Sequence, residues 1–291
     1  MRLPIRHALI LAAGLVVAAC SAAPGPSPSP APTDPPDALR LRLTITQAIP
    51  PEQRFGWFAQ VAITNDGILV VPGAVPAIYP GPLVTPLWGR AVSDAGWAAI
   101  VALARELGLL VDGAQFVDGA PAPGAMLGRI EILVDGRVLT INGDPEAQIM
   151  CITTPCDPPP GTAAAFGEFW RRASDLATWM PGQLGPEREY LPAGYAILVG
   201  PPGVPEAGIQ PQVMEWPLEA DLATFGIPVP GGALRCGEVT GDDAATLGPA
   251  LRAANQLTQW AQDPTAAARY GFVVRPLLPG ETVCAELFGA G

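Results

Sequence analysis

Arg129-Ile130-Glu131-Ile132-Leu133-Val134-Asp135-Gly136-Arg137-Val138-Leu139-Thr140-Ile141 is the stretch that decides the fold class. Two runs rich in aliphatic residues flank Asp135-Gly136, a dipeptide suited to the positive φ angles of a type I′ turn. The twist of that turn matches the twist of paired strands, so the stretch predicts a tight antiparallel hairpin.

Other stretches point the same way. Arg40 to Thr46 alternates strictly, with Leu41, Leu43 and Ile45 on one face and Arg40, Arg42, Thr44 and Thr46 on the other. This is the pattern of a half-buried strand. Trp57 to Ile63 and Ile68 to Val71 flank Asn65-Asp66-Gly67 and predict a second hairpin. Further strands are expected at Tyr195–Val199, Val213–Trp216 and Phe272–Val274. A loop rich in Pro and Gly fills Pro72 to Pro86.

Three amphipathic helices punctuate the strands. Ser93 is a suitable N-cap for a helix ending near Leu107, before Gly108, with Trp97, Ile100, Val101, Ala104 and Leu107 on its core face. Thr162 opens a second helix with Phe166, Phe169, Trp170, Ala173, Leu176, Ala177 and Met180 as its stripe, and Pro181 just beyond. A third is expected from Thr240, where Thr240-Gly241-Asp242-Asp243 fits a capping box, to about Trp260, with Pro249 delaying or kinking its first turn. The order of elements predicts an α+β body, with helices packed on antiparallel sheets built from hairpins. Val92-Ser93 and Val239-Thr240 introduce apolar residues at matching offsets (Ile100 with Leu247, Ala104 with Leu251, Leu107 with Ala254). Two similar halves would show this match, and so in part would any two capped helices.

The N-terminal segment has a different character. Arg2 and Arg6 precede an apolar run from Ala8 to Ala19. Twelve residues at ~1.5 Å rise cover ~18 Å, short of a ~30 Å hydrocarbon core, so the run reads as the h-region of a signal. Val17-Ala18-Ala19-Cys20 resembles a bacterial lipobox. The resemblance implies cleavage before Cys20, diacylglyceryl attachment to its thiol and acylation of the new amino group, palmitate being a typical chain. Two or three acyl chains at ~0.8 kcal/mol per buried CH₂ anchor a protein stably. An ordinary secretory signal cleaved after an alanine is the alternative. Ser21 to Ala38 follows, seven of its eighteen residues being Pro. Polyproline II at ~3.1 Å per residue gives a semi-rigid tether of up to ~56 Å. The division expected is therefore 1–19 signal peptide, 20–38 lipidated cysteine and tether, and 39–291 extracytoplasmic domain with a candidate sub-boundary near 181–193.

Composition excludes much chemistry. The chain carries 16 Arg and no Lys, and its one His is His7, inside the signal. A body without His or Lys cannot run Ser-His-Asp, Cys-His or Ser-Lys catalysis, form a lysine Schiff base or offer imidazole to zinc. Once Arg2 and Arg6 leave, 14 basic residues face 27 acidic ones, a formal charge of −13. Such a balance disfavours nucleic acid and anionic headgroups.

Five cysteines are an odd number. Lipidation of Cys20 leaves Cys151, Cys156, Cys236 and Cys284, which in an oxidising compartment allow three pairings. Cys151–Cys156 with Cys236–Cys284 is the favoured set. A four-thiolate zinc site needs paired knuckles, and Cys236 and Cys284 have no near neighbour.

Tyr79-Pro80-Gly81-Pro82-Leu83 before a helix, and Arg275 to Glu281 leading to a terminal Cys284, are similar to an uncharacterised group of predicted lipoproteins from GC-rich bacteria. The resemblance implies an extracytoplasmic address and brings no activity with it.

The reading that results is a membrane-tethered, non-enzymatic lipoprotein with a binding or scaffold role in the cell envelope, needing no cofactor or metal, its partner an envelope protein or a glycan. Tyr79 to Leu83 is the candidate binding loop, since a proline-stiffened loop loses little entropy on binding. One alternative is a glycan-acting enzyme using carboxylates alone, with Asp242/Asp243, Glu187/Glu189 or Asp144/Glu146 as candidate pairs and the seven tryptophans as candidate platforms. Another is an accessory or inhibitory subunit of an envelope complex. Asp66, Asp112, Asp118, Asp135 and Asp144 stand at or near glycine turns without forming a calcium loop.

Overall fold

Eight strands of the computed structural model form one sheet, built outward from the Arg129–Ile141 hairpin; the structure describes residues 39–120, 122, 124–148, 157–263 and 265–289. The expected signal segment 1–19, the expected tether 20–38 with Cys20, and Cys151 with Cys156 lie outside the described residues. Asp135 (φ 52°) and Gly136 (φ 73°) both adopt the left-handed conformation that the two-residue turn requires.

In chain order the strands of this sheet are β1 (Leu39–Thr46), β2 (Val61–Thr64), β3 (Ile68–Pro72), β4 (Leu87–Ala91), β5 (Gln115–Phe116), β6 (Leu127–Val134), β7 (Arg137–Gly143) and β8 (Arg188–Glu189). Their spatial order is β5-β7-β6-β1-β2-β3-β4-β8, antiparallel except for β5 beside β7. A second sheet has the order β11-β12-β9-β14, from β9 (Gly194–Gly200), β11 (Ile227–Pro228), β12 (Arg235–Thr240) and β14 (Gly271–Leu277). A parallel pair, β10 (Val213–Glu215) with β13 (Gln259–Ala261), completes the strands. The last strand of the first sheet ends at Glu189 and the first of the second begins at Gly194, while the described residues all fall within one compact unit.

The helices are α1 (Pro51–Arg54), α2 (Asp94–Glu106), α3 (Ala163–Ser174), α4 (Leu176–Trp179), α5 (Gly241–Ala253) and α6 (Val283–Phe288). Leu41, Leu43, Ile63, Ile130, Ile132 and Ile141 of the first sheet pack beneath Ile100 and Ala104 of α2 and Phe166, Phe169 and Trp170 of α3. Gly128 and Gly143 face each other across β6 and β7, and the α3 aromatics lie directly over them. A Cβ at Gly143 would stand 2.5 Å from Phe166 Cγ, so the paired glycines set how closely α3 approaches.

The second sheet is covered on both faces, and every residue of β9 is buried. Tyr195, Ile197 and Val199 turn toward α5 and an aromatic cluster in which Trp260 stacks on Phe272 at 4.9 Å and Trp216 meets Phe272 edge-on at 5.5 Å. Ala196 and Leu198 face the opposite way, against Phe55, Val283 and Phe288. Cys236 and Cys284 are joined, pinning α6 to β12. Ile100, Ala104 and Leu107 are buried, as are Leu247, Leu251 and Ala254. The chain passes from β4 through α2 and β5 to β6, and from β12 through α5 and β13 to β14; in each case the outer strands run parallel, with β3, β2 and β1 between the first pair and β9 between the second.

Several elements differ from expectation. Trp57 to Gln60 is not strand: Pro50 and Pro51 start a helical turn, Trp57 N donates to Arg54 O, and the chain meets β1 only where Gln60 N donates to Leu43 O. Leu87 to Ala91, passed over between loop and helix, is β4. The second helix breaks at Asp175, whose side chain caps Thr178 N at 3.0 Å and starts α4. The third helix ends at Ala253, because Asn255 Oδ1 accepts from Leu257 N and Thr258 Oγ1 accepts from Asn255 N; Trp260 therefore belongs to β13. The expected capping box is not formed, since Thr240 makes no side-chain cap bond. Cys236 lies in β12 and Cys284 in α6.

Candidate functional site

Residues 73–86 cannot extend the sheet, because Pro76, Pro80, Pro82 and Pro86 remove the amide donors a strand needs. The loop is fastened instead by a few specific bonds. Gly73 N donates to Pro86 O at 2.7 Å and closes its neck. Its tip is tied to the turn after α5: Gln256 N donates to Gly81 O (3.0 Å), Leu83 N to Ala254 O (3.2 Å) and Gly81 N to Gln256 Oε1 (3.3 Å). The Tyr79–Pro80 peptide bond is cis.

A cleft of ≈ 480 Å³ lies between this loop and the run Glu189-Tyr190-Leu191-Pro192 that follows β8. That is the size of a site for a small organic ligand. Pro76, Ile78, Pro82, Val84 and Pro86 contribute one wall and Tyr190, Leu191 and Pro192 the other; Tyr195 of β9, Arg252 of α5 and Pro276 of β14 complete it. Ile78 and Leu191 remain 65% and 60% exposed, leaving both lips of the cleft apolar and wet.

Five polar side chains meet this apolar lining: Thr85, Glu189, Tyr190, Tyr195 and Arg252. Burial raises the Tyr195 phenol above its ordinary value, while the charge and hydrogen bond of Arg252 pull it back and Glu189 pushes it up. Burial also raises Tyr190, helped by the charge of Asp66. Among the described residues no carboxylate lies within ion-pair distance of Arg252. The apolar cleft therefore has at its rim one solvent-exposed guanidinium, hydrogen-bonded to a buried phenol and without a carboxylate within ion-pair distance among the described residues.

No protein-family model, curated protein or solved structure matches this chain.

Of the expected loop residues, Pro82 lines the cleft, Gly81 and Leu83 hold the loop to the turn after α5, and Tyr79 is 51% exposed without lining the cleft. The loop thus joins β3 and β4 of the first sheet while Leu83 and Val84 pack against the core of the second. The expected carboxylate pairs are not gathered in the cleft. Glu189 lines it, cross-strand from the exposed Trp88, but Glu187 does not. Asp242 and Asp243 are exposed on the first turn of α5. Asp144 and Glu146 share another hollow with Asp118 and the buried Trp170, and there Glu146 N donates to Asp144 Oδ1 at 2.9 Å.

The turn aspartates are engaged locally: Asp66 accepts from the Thr64 hydroxyl, and Asp112 accepts from Thr140 N at 3.0 Å. Among the described residues no three His, Cys, Asp or Glu side chains are grouped to hold a metal ion, and no helix is long and apolar enough to cross a membrane. Trp57 precedes its strand rather than belonging to it, and Trp97 is only partly buried, lying under the Arg40 guanidinium at 6.0 Å.

Sequence reasoning missed Tyr190, Tyr195 and Arg252 as site residues. Tyr195 was read as one residue of a strand, and Arg252 stands on the polar side of a helix stripe. The signal open to notice was Glu187-Arg188-Glu189-Tyr190-Leu191-Pro192, where charge, aromatic and proline crowd between two elements.

Proposed function

We propose that this chain is a lipid-tethered extracytoplasmic binding protein that holds a small amphiphile in the cleft under the Tyr79–Leu83 loop. The ligand has an apolar body, which the proline and aliphatic walls take, and one anionic group, which Arg252 and the Tyr195 hydroxyl receive. The observation that carries the reading is Arg252, without an ion-pair partner among the described residues, lining a ≈ 480 Å³ cleft with exposed apolar lips. Removing such lips from water is favourable by ~25 cal/mol per Å², and the exposed Arg252 guanidinium at the rim offers charge-assisted hydrogen bonds to an anionic group. The Cys20 lipobox supports the tether, and the Cys236–Cys284 disulfide fits an oxidising compartment. A role without catalysis rests on the absence of His and Lys from residues 20–291.

The probe 1-anilinonaphthalene-8-sulfonate has the required form, an apolar ring system bearing one anion. Its fluorescence on titration of the full chain should show a single saturable site. Val84→Trp, which fills the cleft, should weaken binding at least tenfold, and Arg252→Gln severalfold. Binding indifferent to both substitutions would place the probe elsewhere and end the cleft reading. Separately, Cys20→Ser should release the chain from membranes; retention would overturn the anchor.

A further inference from the structure

The face of β1 that sequence alternation assigns to Arg42, Thr44 and Thr46 is only partly open to solvent. It is roofed by the α1 segment and by residues that follow β14, and a pocket of ≈ 110 Å³ remains there. Three guanidinium side chains line it: Arg42 of β1, Arg54 of α1 and Arg275 of β14, together with Thr44 and Trp57.

Each of these arginines has a buried Nε without a hydrogen-bond partner. Arg42 and Arg275 share a single carboxylate, Glu281, through their Nη2 atoms. Glu131 approaches Arg42 at 3.6 Å, and Glu286, exposed on α6, acts on Arg275 from farther away. Arg54 has no carboxylate within ion-pair distance among the described residues. Two close carboxylates thus serve three clustered cations, inside a chain whose overall charge is −11.

We infer that this pocket is a binding site for one tetrahedral oxyanion, phosphate or sulfate. The volume suits one such ion and little more. The three guanidinium side chains that line the pocket bring more N–H donors than the two carboxylates beside them accept, and the planar fork of arginine matches the spacing of an oxyanion's oxygens. Arg54 gains the counter-ion it lacks. The site lies where the chain's first strand meets its last, so the ion also bridges segments distant in sequence. It shares no lining residue with the cleft assigned to the amphiphile, and the two inferences stand or fall separately.

The test compares thermal unfolding of the full chain in detergent, in sodium phosphate or sulfate and in sodium chloride at matched ionic strength. Phosphate should raise the midpoint along a saturable curve, by the linkage of ligand binding to the folded state. Arg54→Met keeps the side-chain stem but not the charge. It should remove at least two thirds of the phosphate-specific rise while leaving stability in phosphate-free buffer equal to or above wild type, because an unpaired cation has gone. Arg54→Lys, which keeps the charge without the fork, should show an intermediate rise and covers the case in which Arg54→Met fails to fold. Equal rises in phosphate and chloride, or a rise that persists in both variants, would overturn the assignment. Glycerol 3-phosphate distinguishes the source. A rise matching that of inorganic phosphate identifies the end of a larger phosphate ester as an acceptable occupant, and no rise identifies the free ion.

Discussion

Arg42 Nη2 donates to Glu281 Oε1 at 2.5 Å across 239 positions of sequence, joining the first strand to the turn before the last helix. Arg275 donates to the same oxygen, and Leu278 N donates to Oε2 at 3.0 Å, so this buried carboxylate is held on both oxygens. Burial draws the Arg275 guanidinium below its ordinary value, and Glu281 is the largest influence restoring it. Removing one partner of a buried ion pair costs about 3–5 kcal/mol, because the remaining charge keeps its desolvation penalty. Glu281→Gln should therefore lower unfolding free energy by about that amount, measured from denaturant midpoints at constant m-value. Replacing Arg42, Arg275 and Glu281 together by Met, Leu and Leu should recover most of the loss. A single-variant cost below about 1 kcal/mol would mean that the pair is not buried in solution.

The Cys236–Cys284 bond closes a loop of sequence separation 48 between β12 and α6. On the chain-entropy model a loop of that length removes about 4 kcal/mol of unfolded-state freedom. Peptide mapping without reductant should recover Cys236 and Cys284 in one linked fragment. Cys284→Ser should lower stability by about 2–4 kcal/mol and release α6 to hydrogen exchange before the sheet. Both thiols alkylating freely in the native chain would remove the bond from the account.

These two contacts also mark the boundary of what the sequence could disclose. Asp135-Gly136 and the alternation around it specified the central hairpin, since turn chemistry and strand period are local. Ser93 and Gly108 bounded α2 for the same reason. Glu281 and Arg42 carry no mutual signal, because nothing local says that the polar face of β1 will be roofed. The same is true of Arg252: its neighbour Tyr195 lies on another element, and only the return of the chain through β9 brings them together. β4 was lost because Leu87-Trp88-Gly89-Arg90-Ala91 has too little apolar alternation to stand out beside prolines. The Tyr79–Leu83 loop was legible as a rigid segment, whereas the cleft beneath it needed the second sheet's residues to exist.

Gly143 offers a sharper test of how α3 is seated. The Cβ of an alanine there would come within 2.5 Å of the Phe166 ring, and Gly128 opposite is nearly as close to Trp170. Overpacking of this kind costs about 1–3 kcal/mol, since ring and backbone must both give way. Gly143→Ala should destabilise the chain within that range. Phe166→Ala, which leaves a cavity over the glycines, should cost about 3–5 kcal/mol. The pair combined should cost less than the sum of the two, because the new methyl enters vacated space. Strict additivity in denaturation free energies would show that the ring does not lie over Gly143.

Tyr190 and Tyr195 give the structure a signature in alkaline solution. Both phenols are raised above the ordinary value chiefly by burial, Tyr190 also by Asp66 and Tyr195 also by Glu189. A phenol whose folded pKa exceeds its unfolded value holds its proton more tightly in the native chain. The stability this contributes is fully present below pH ~10, the unfolded value, and is lost as pH rises through the folded values. Tyr190 and Tyr195 should therefore ionise late in an absorbance titration at 295 nm. Unfolding free energy should decline with pH over the same range. Tyr195→Phe should delete one late step. Asp66→Asn should bring the other down, whereas Arg252→Gln, by removing the charge that lowers Tyr195, should move its step higher. A downward move in Arg252→Gln would mean that the guanidinium does not face this phenol, and the polar end of the cleft would lose its basis.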